Sequence, residues 1–277
     1  RRARQADEVF ILCSLSSSFA GIWLDSVLSD REIVKGVTMF TYEMNAGYSV
    51  MDASLCMTVP AILDCFQDAA VFESENGRIN VDYLYSRQIA WILNSWQIVI
   101  DRRPRLNERI KIATAPYDFT NYVGFRNFSV YGEDGEMIVR AASVWTLIDT
   151  EKLCPVRLTQ ELQEGYEFDQ KLEMDYAPRK ITLLGDGQIQ DQFRVRKFQI
   201  DSNKHMNNVE YVRYAMETLP EDAAFQELRA EYKKPALYGD EVTASVIRAE
   251  GKHQVVLRDN EGAVYAVVEF TLGGVTV

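Results

Sequence analysis

The chain states one arrangement twice, and that repetition constrains its fold more than any other feature. From Val37 an extended stretch, VTMFTYEMNA, passes through a connector, GYSVMDASLCM, into a helix, TVPAILDCFQDAAVFES. Thr58 can cap that helix, Pro60 suits its first turn, and Val59, Ile62, Leu63, Phe66 and Ala70 form an apolar stripe at helical spacing. Four extended segments follow: QIAWILNSWQIVI, RIKIATAPYDF, GFRNFSVYG and MIVRAASVWTLID, the last two joined by a hairpin signal, EDGE. From Gln192 the order recurs. FRVRKFQI is extended, DSNKHMNN connects, and Val212, Ala215, Met216 and Leu219 mark a helix that Pro220 ends. FQELRAEYKK, DEVTASVIRAE, KHQVVLRD and AVYAVVEFTLGG then supply four more strands, the last pair joined by NEGA. One strand, one helix and four strands, stated twice, imply two α+β units, each an antiparallel sheet wrapped on a long helix.

Aligning the copies isolates a functional candidate. MDASLCM (51–57) lies over IDSNKHM (200–206), so Asp52 matches Asp201, Ser54 matches Asn203 and Cys56 matches His205. Both halves keep the aspartate, while the second alone adds asparagine and one of the chain's two histidines. Asp201, Ser202, Asn207 and Asn208 are all suited to a turn and a helix cap, which explains the flanks of the motif without assigning chemistry to its centre. Asn, His and Asp before a buried helix also suit acyl transfer. Helix N–H groups can hold an oxyanion, histidine can act as base toward water, and a carboxylate can orient it. Cys56, at the altered copy, reads as a small buried residue, and His253 as a strand residue facing solvent. Trp91 and Trp96 read either as core or as lining for an apolar tunnel.

Charge and cysteine usage remove other classes. Acidic residues outnumber basic ones by 41 to 30, a net charge of −11 that works against binding nucleic acid or an anionic membrane surface. The four cysteines are scattered without a CxxC, which suggests a reducing, cytoplasmic setting, and the scarcity of histidine argues against a zinc site. GxSxG, GxGxxG and GxxxxGK[ST] are absent from the sequence, and no cofactor is expected. At the start, RRAR followed by VFILCSLSSSFAGIWL has a signal-like outline, but Asp7 and Glu8 interrupt it and the apolar run is short and serine-rich. Residues 1–36 are therefore expected to be an extension or extra helix outside the main fold, without stable membrane insertion.

IDSNKHMNNVEYVRYAMETLP followed by RAEYKKPALYGDEV resembles the acyl-acyl carrier protein thioesterases, in particular the bacterial members. In the first half ILDCFQDAA, WILNSWQIVIDRRPRLNE, PYDF and YAPRKI agree, so the likeness covers roughly 37–272. It implies a double hotdog: two tandem hotdog units imitating the dimer of single-hotdog thioesterases. It also implies hydrolysis of the thioester between a fatty acyl chain and the phosphopantetheine arm of an acidic carrier protein. The family's Asp, Asn and His fall on Asp201, Asn203 and His205. Plant members carry a further carboxylate in the next strand, and counting back from Gly239-Asp240 puts that position at Pro235. Proline is neither acid nor base, which leaves Glu231 as a candidate supporting carboxylate and favours an activated water over a nucleophilic carboxylate.

The resulting plan is a first unit at 37–150, a charged linker at 151–191 containing Pro155, Pro178, Gly185 and Gly187, and a second, catalytic unit at 192–277. Arg102, Arg103 and Arg105 align with Lys233 and Lys234 across the halves and are read either as solvated charge or as docking cations for the carrier. An acyl-CoA thioesterase and a non-catalytic acyl-binding protein stand as alternatives on the same fold, and a homodimer is left open.

Overall fold

The computed structural model describes residues 29–34, 37–221 and 223–273. Two five-strand sets join edge to edge in one antiparallel sheet. The first set comprises β2 (Val37–Asn45), β3 (Ile89–Ile100), β4 (Arg109–Thr120), β5 (Val123–Tyr131) and β6 (Met137–Asp149). The second comprises β8 (Gln188–Arg194), β9 (Phe225–Tyr232), β10 (Glu241–Ala249), β11 (Lys252–Arg258) and β12 (Val264–Leu272). With β1 (Ser29–Val34) on the outer edge, the order is β1-β2-β4-β5-β6-β3-β9-β12-β11-β10-β8, and a short β7 (Cys154–Pro155) pairs with β6. The order reads as mirror images about the β3–β9 pair, where Ser95 faces Glu231 and Val99 faces Glu227.

Two helices fill the concave side. α1 (Val59–Glu75) starts at Thr58, whose hydroxyl accepts from Ala61 N–H, and it buries Val59, Ile62, Leu63, Phe66 and Ala69. α4 (Asn208–Met216) is shorter, is capped by Asn207, and buries Val209, Tyr211, Val212 and Ala215. The inward strand positions close one core over both helices, centred on Phe66, Trp96 and Phe128. Two further short helices, α2 (Val81–Ser86) and α3 (Gln160–Glu164), belong to the first half and its exit. No helix among the described residues is long and apolar enough to cross a membrane.

The segment read as a linker does more than connect. Beyond α3 it crosses the outer face of the sheet strand by strand. Leu172 N–H donates to Asn127 on β5, Ala177 N–H to Gln97 on β3, Ile181 N–H to Glu231 on β9 and Leu184 N–H to Gln254 on β11. Outward polar side chains thus substitute for a partner strand, and both faces of the central strands are dry.

Three expectations change here. The segment 1–36 does not lie wholly outside the fold, because Ser29–Val34 pairs with β2; the signal-like stretch and any helix within residues 1–28 lie outside the described residues. The first strand of the second half is Gln188–Arg194 rather than 193–200, since Lys197–Gln199 winds into a 3-10 turn before the motif. His253 does not face solvent. It is 1% exposed on the helix side of β11, 2.9 Å from the Thr218 hydroxyl just beyond α4, and burial lowers its pKa.

Candidate active site

The motif 201–208 folds as a tight loop built by its own aspartate. Asp201 Oδ1 accepts from the N–H groups of Asn203 (2.8 Å) and His205 (3.2 Å), and Asp201 N–H bonds His205 C=O at 2.8 Å. Lys204 takes the left-handed conformation (φ 62°) that this turn needs. Met206 N–H then bonds Ala236 C=O, and His205 pairs across a single bridge with Leu237, which sets the loop against the chain leaving β9. Tyr232 donates its hydroxyl to Asn208 C=O, and Tyr211 accepts from Ala236 N–H, so both ends of that chain are tied to α4.

The first half repeats this construction bond for bond. Asp52 Oδ1 accepts from Ser54 N–H (2.9 Å) and Cys56 N–H (3.2 Å), Leu55 takes φ 58°, and Met57 N–H bonds Pro104 C=O. These bonds fix the correspondence between halves: Pro104 with Ala236, Arg103 with Pro235 and Arg102 with Lys234. What differs is the second carboxylate oxygen. Arg103 ion-pairs with Asp52 Oδ2. Burial alone would raise the Asp52 carboxyl, but the hydrogen bonds from Ser54 and Arg103 and the guanidinium charge outweigh it and hold the group down at about 2. Opposite Asp201 stands Pro235, which offers no charge. Among the described residues no partner reaches Asp201 Oδ2, the Asn203 amide or the His205 ring.

These groups line a cavity of about 1200 Å³, larger than the ~300–1,000 Å³ of ordinary ligand pockets. Asp201, Asn203, His205, Asn208 and Pro235 form one end. The rest of the wall comes from the first half: Gln67, Ala70 and Val71 of α1, Leu84 of α2, and Trp91, Leu93, Phe119 and Trp145 of the sheet. Since Ser95 faces Glu231, the part of β3 that lines the cavity, Ile89 to Asn94, runs on past the end of β9 for roughly 17 Å. Trp91 stacks on Phe119 and donates to the Tyr166 hydroxyl, and Gly124 lies so close that an added Cβ would stand 3.0 Å from both rings. A buried ion pair, Arg126–Glu73 at 2.8 Å, closes the same region. Trp96 takes no part; it is core.

The structure thus brings Asp201, Asn203 and His205 together on one wall, with Lys233 and Lys234 beside them. Glu231 is not brought there. Strand alternation turns it to the outer face, where its carboxylate accepts from Ile181 N–H at 3.0 Å and pairs with Lys233 at 3.0 Å. The supporting-carboxylate reading is corrected accordingly. Arg102, Arg103 and Arg105 lie at the first-half loop, away from the cavity wall; Arg102 is tied to Glu108 and Arg103 to Asp52. Lys234 pairs with Asp259 at 2.6 Å. Sequence reasoning missed Gln67 and Asn94 on the cavity wall. Asn94 had a signal, a polar residue at the centre of an apolar strand, and it occupies a β-bulge where its amide oxygen accepts from Thr146. Gln67 had none, since half-buried helix positions are commonly polar.

Residues 37–166 match the profile of the acyl-ACP thioesterase N-terminal domain, and residues 185–271 that of its C-terminal domain. Among curated relatives, an acyl-[acyl-carrier-protein] hydrolase of Cuphea viscosissima (FATB3, chloroplastic) is 24% identical over 59% of this chain and 42% of its own length. The oleoyl-acyl carrier protein thioesterase 2 of Arabidopsis thaliana is 21% identical over 72% of this chain and 60% of its own. The chain spans about half the length of the curated relatives it matches. An acyl-ACP thioesterase structure from Bacteroides thetaiotaomicron superposes with a TM-score of 0.79 at 19% identity, covering 85% of this chain and 98% of that one. The 12:0-ACP thioesterase of Umbellularia californica gives 0.75 at 16% identity, covering 85% and 97%. The fold is the one those proteins share, the double hotdog.

Proposed function

The chain belongs to the acyl-ACP thioesterase family, and on that footing we propose that it hydrolyses fatty acyl thioesters of acyl carrier protein and releases the free fatty acid. The observation that carries this reading is the single cavity shared by the two halves: an apolar, aromatic wall from the first half ends at the Asn203–His205 loop of the second. An acyl chain lying along Trp91, Leu93 and Ala70 brings its thioester carbonyl to that loop.

In this reading a water held between the His205 ring and Asp201 Oδ2 attacks the carbonyl carbon, and its proton passes to His205. Asn203 donates its amide N–H to the carbonyl oxygen or orients the water. Asn208 begins α4, where the first N–H groups lack intrahelical acceptors, so the developing oxyanion meets the positive end of the helix. Collapse of the tetrahedral intermediate breaks the C–S bond, and His205 returns the proton to the departing pantetheine thiolate. Asp201 and Glu151 are the carboxylates on the cavity wall among the described residues, and Glu151 is exposed and bound to Gln88. In this mechanism Asp201 is therefore the carboxylate that holds the attacking water beside His205, as well as the organiser of its loop.

The test is release of free fatty acid from a panel of acyl-carrier proteins and acyl-CoAs of varied chain length. His205→Ala should lower kcat about 10²-fold or more with unchanged thermal stability, while Cys56→Ala is nearly silent. Wild-type turnover by a folded His205→Ala protein would remove the site assignment. Equal kcat/KM on both carriers would make the protein a general acyl thioesterase.

A further inference from the structure

The rim outside the His205 loop carries an exposed apolar group that the fold does not need. Phe198 is 81% exposed, Tyr238 60% and Leu237 48%. They form one locality. Leu237 sits directly across the bridge from His205, which puts their Cα atoms about 5 Å apart. Tyr238 follows it, and Lys197, next to Phe198, holds its ammonium 5.8 Å from the Tyr238 ring centroid. A residue facing the cavity and a residue facing solvent are thus one strand-width apart. Large exposed apolar side chains gathered beside the His205 loop mark a contact surface rather than scattered exposure.

Charge selects the occupant. Between Phe193 and Met206 the chain carries four cations (Arg194, Arg196, Lys197, Lys204) and one acid (Asp201), a balance of +3 that Asp240, bonded to Leu237 N–H, lowers to +2 at this rim, in a chain whose total is −11. Asp201 spends one oxygen on its own loop, and Arg194 is paired with Glu241. Arg196 and Lys197 are exposed. The first-half rim also exposes apolar residues, Tyr48 and Leu55, but its Arg102 and Arg103 are tied to Glu108 and Asp52, and among the described residues its loop 52–57 does not line the cavity that His205 lines.

We propose that Phe198 and Tyr238, flanked by Arg196 and Lys197, form the docking surface for the carrier protein, an acidic partner with an apolar contact face that delivers its tethered thioester past Leu237 to His205. This rests on the thioesterase reading above. It moves the carrier contact from Arg102, Arg103, Arg105, Lys233 and Lys234 to the rim formed by residues 196–198 and Tyr238. A short path from rim to site suits a substrate carried on a flexible arm, because the partner is seated before the thioester enters.

The experiment compares Phe198→Ser, Tyr238→Ser, Lys197→Glu and Arg105→Glu on two substrates, an acyl-carrier protein and the same acyl group on free pantetheine. The first three should raise KM for the carrier substrate about tenfold and leave kcat, and all kinetics on acyl-pantetheine, unchanged. The Lys197→Glu effect alone should shrink as salt rises. Binding of apo-carrier by titration should weaken in parallel. A KM effect confined to Arg105→Glu, equal losses on both substrates, or no change in any variant would overturn the proposal. Failure of the thioesterase reading shows differently: wild-type protein would then hydrolyse neither substrate.

Discussion

The two aspartates of the repeated loop do the same folding work in both copies, and in the proposed reaction only the second also takes part in the chemistry. Asp52 and Asp201 make the same two backbone bonds, so a carboxylate here is needed to shape the turn whether or not anything is catalysed. The difference lies in the chain segment facing each loop, where Arg103 neutralises Asp52 and Pro235 leaves Asp201 unopposed. Pro235→Arg should therefore impose the first-half ion pair on the second half. We expect kcat to fall at least about tenfold with no loss of thermal stability, and Pro235→Ala to stay close to wild type; equal activity of the two variants would mean that Asp201 Oδ2 takes no part. Gly124 sets a second test. Its missing side chain leaves room beside Trp91 and Phe119, so Gly124→Val should shift preference toward shorter acyl chains by about tenfold in relative kcat/KM, read from the chain-length panel. That Asn203 and His205 stand apart from their first-half counterparts was legible because the duplication supplied its own control sequence, and both lie on the cavity wall. The pairing of Arg103 with Asp52 was not, since nothing in RRPR says which arginine turns toward which loop.

At the scale of elements, most strands and both long helices emerged from periodicity, the first strand of the second half being displaced by the 3-10 turn at Lys197–Gln199, and the errors of environment share one cause. Period-2 alternation shows which residues share a face but not what covers that face. Glu231 and His253 were given the wrong surroundings because both faces of the sheet are covered, one by α1 and α4, the other by the crossing segment. A charged stretch with prolines and glycines reads as a loose connector, and its backbone bonds to Asn127, Gln97, Glu231 and Gln254 come from residues scattered over more than 120 positions. The contact between α1 and α4 carries its own pH signature. Burial, reinforced by Asp68 and Glu210, raises the Asp64 carboxyl to about 6 against the pull of Arg213. The folded state thus holds this proton more tightly than the unfolded chain, and the contribution of Asp64 to stability declines as pH rises from about 4 to about 6. Asp64→Asn should raise Tm at pH 7 and leave it unchanged near pH 3.5. A Tm that drops at pH 7 would mean that the Arg213 contact outweighs the burial.

The whole molecule is a dimer written as one chain: a single sheet, a shared core and a cavity to which each half gives a different part. Cooperativity should follow. Calorimetry is expected to show one unfolding transition, because β3 pairs with β9 and the core cluster includes residues from both helices; two separated transitions would indicate independent units. The plan of two units was visible in the sequence, but the sharing of one cavity was not, since it depends on which surfaces meet across the seam. The crossing segment has one more consequence. Its hold on the sheet is made of many non-covalent bonds on both sides of the exposed Phe168 and Leu184, so chain continuity there matters for assembly more than for persistence. A single proteolytic nick between Gly165 and Gly187 should give two fragments on a denaturing gel that migrate as one particle on a sizing column and still turn over substrate.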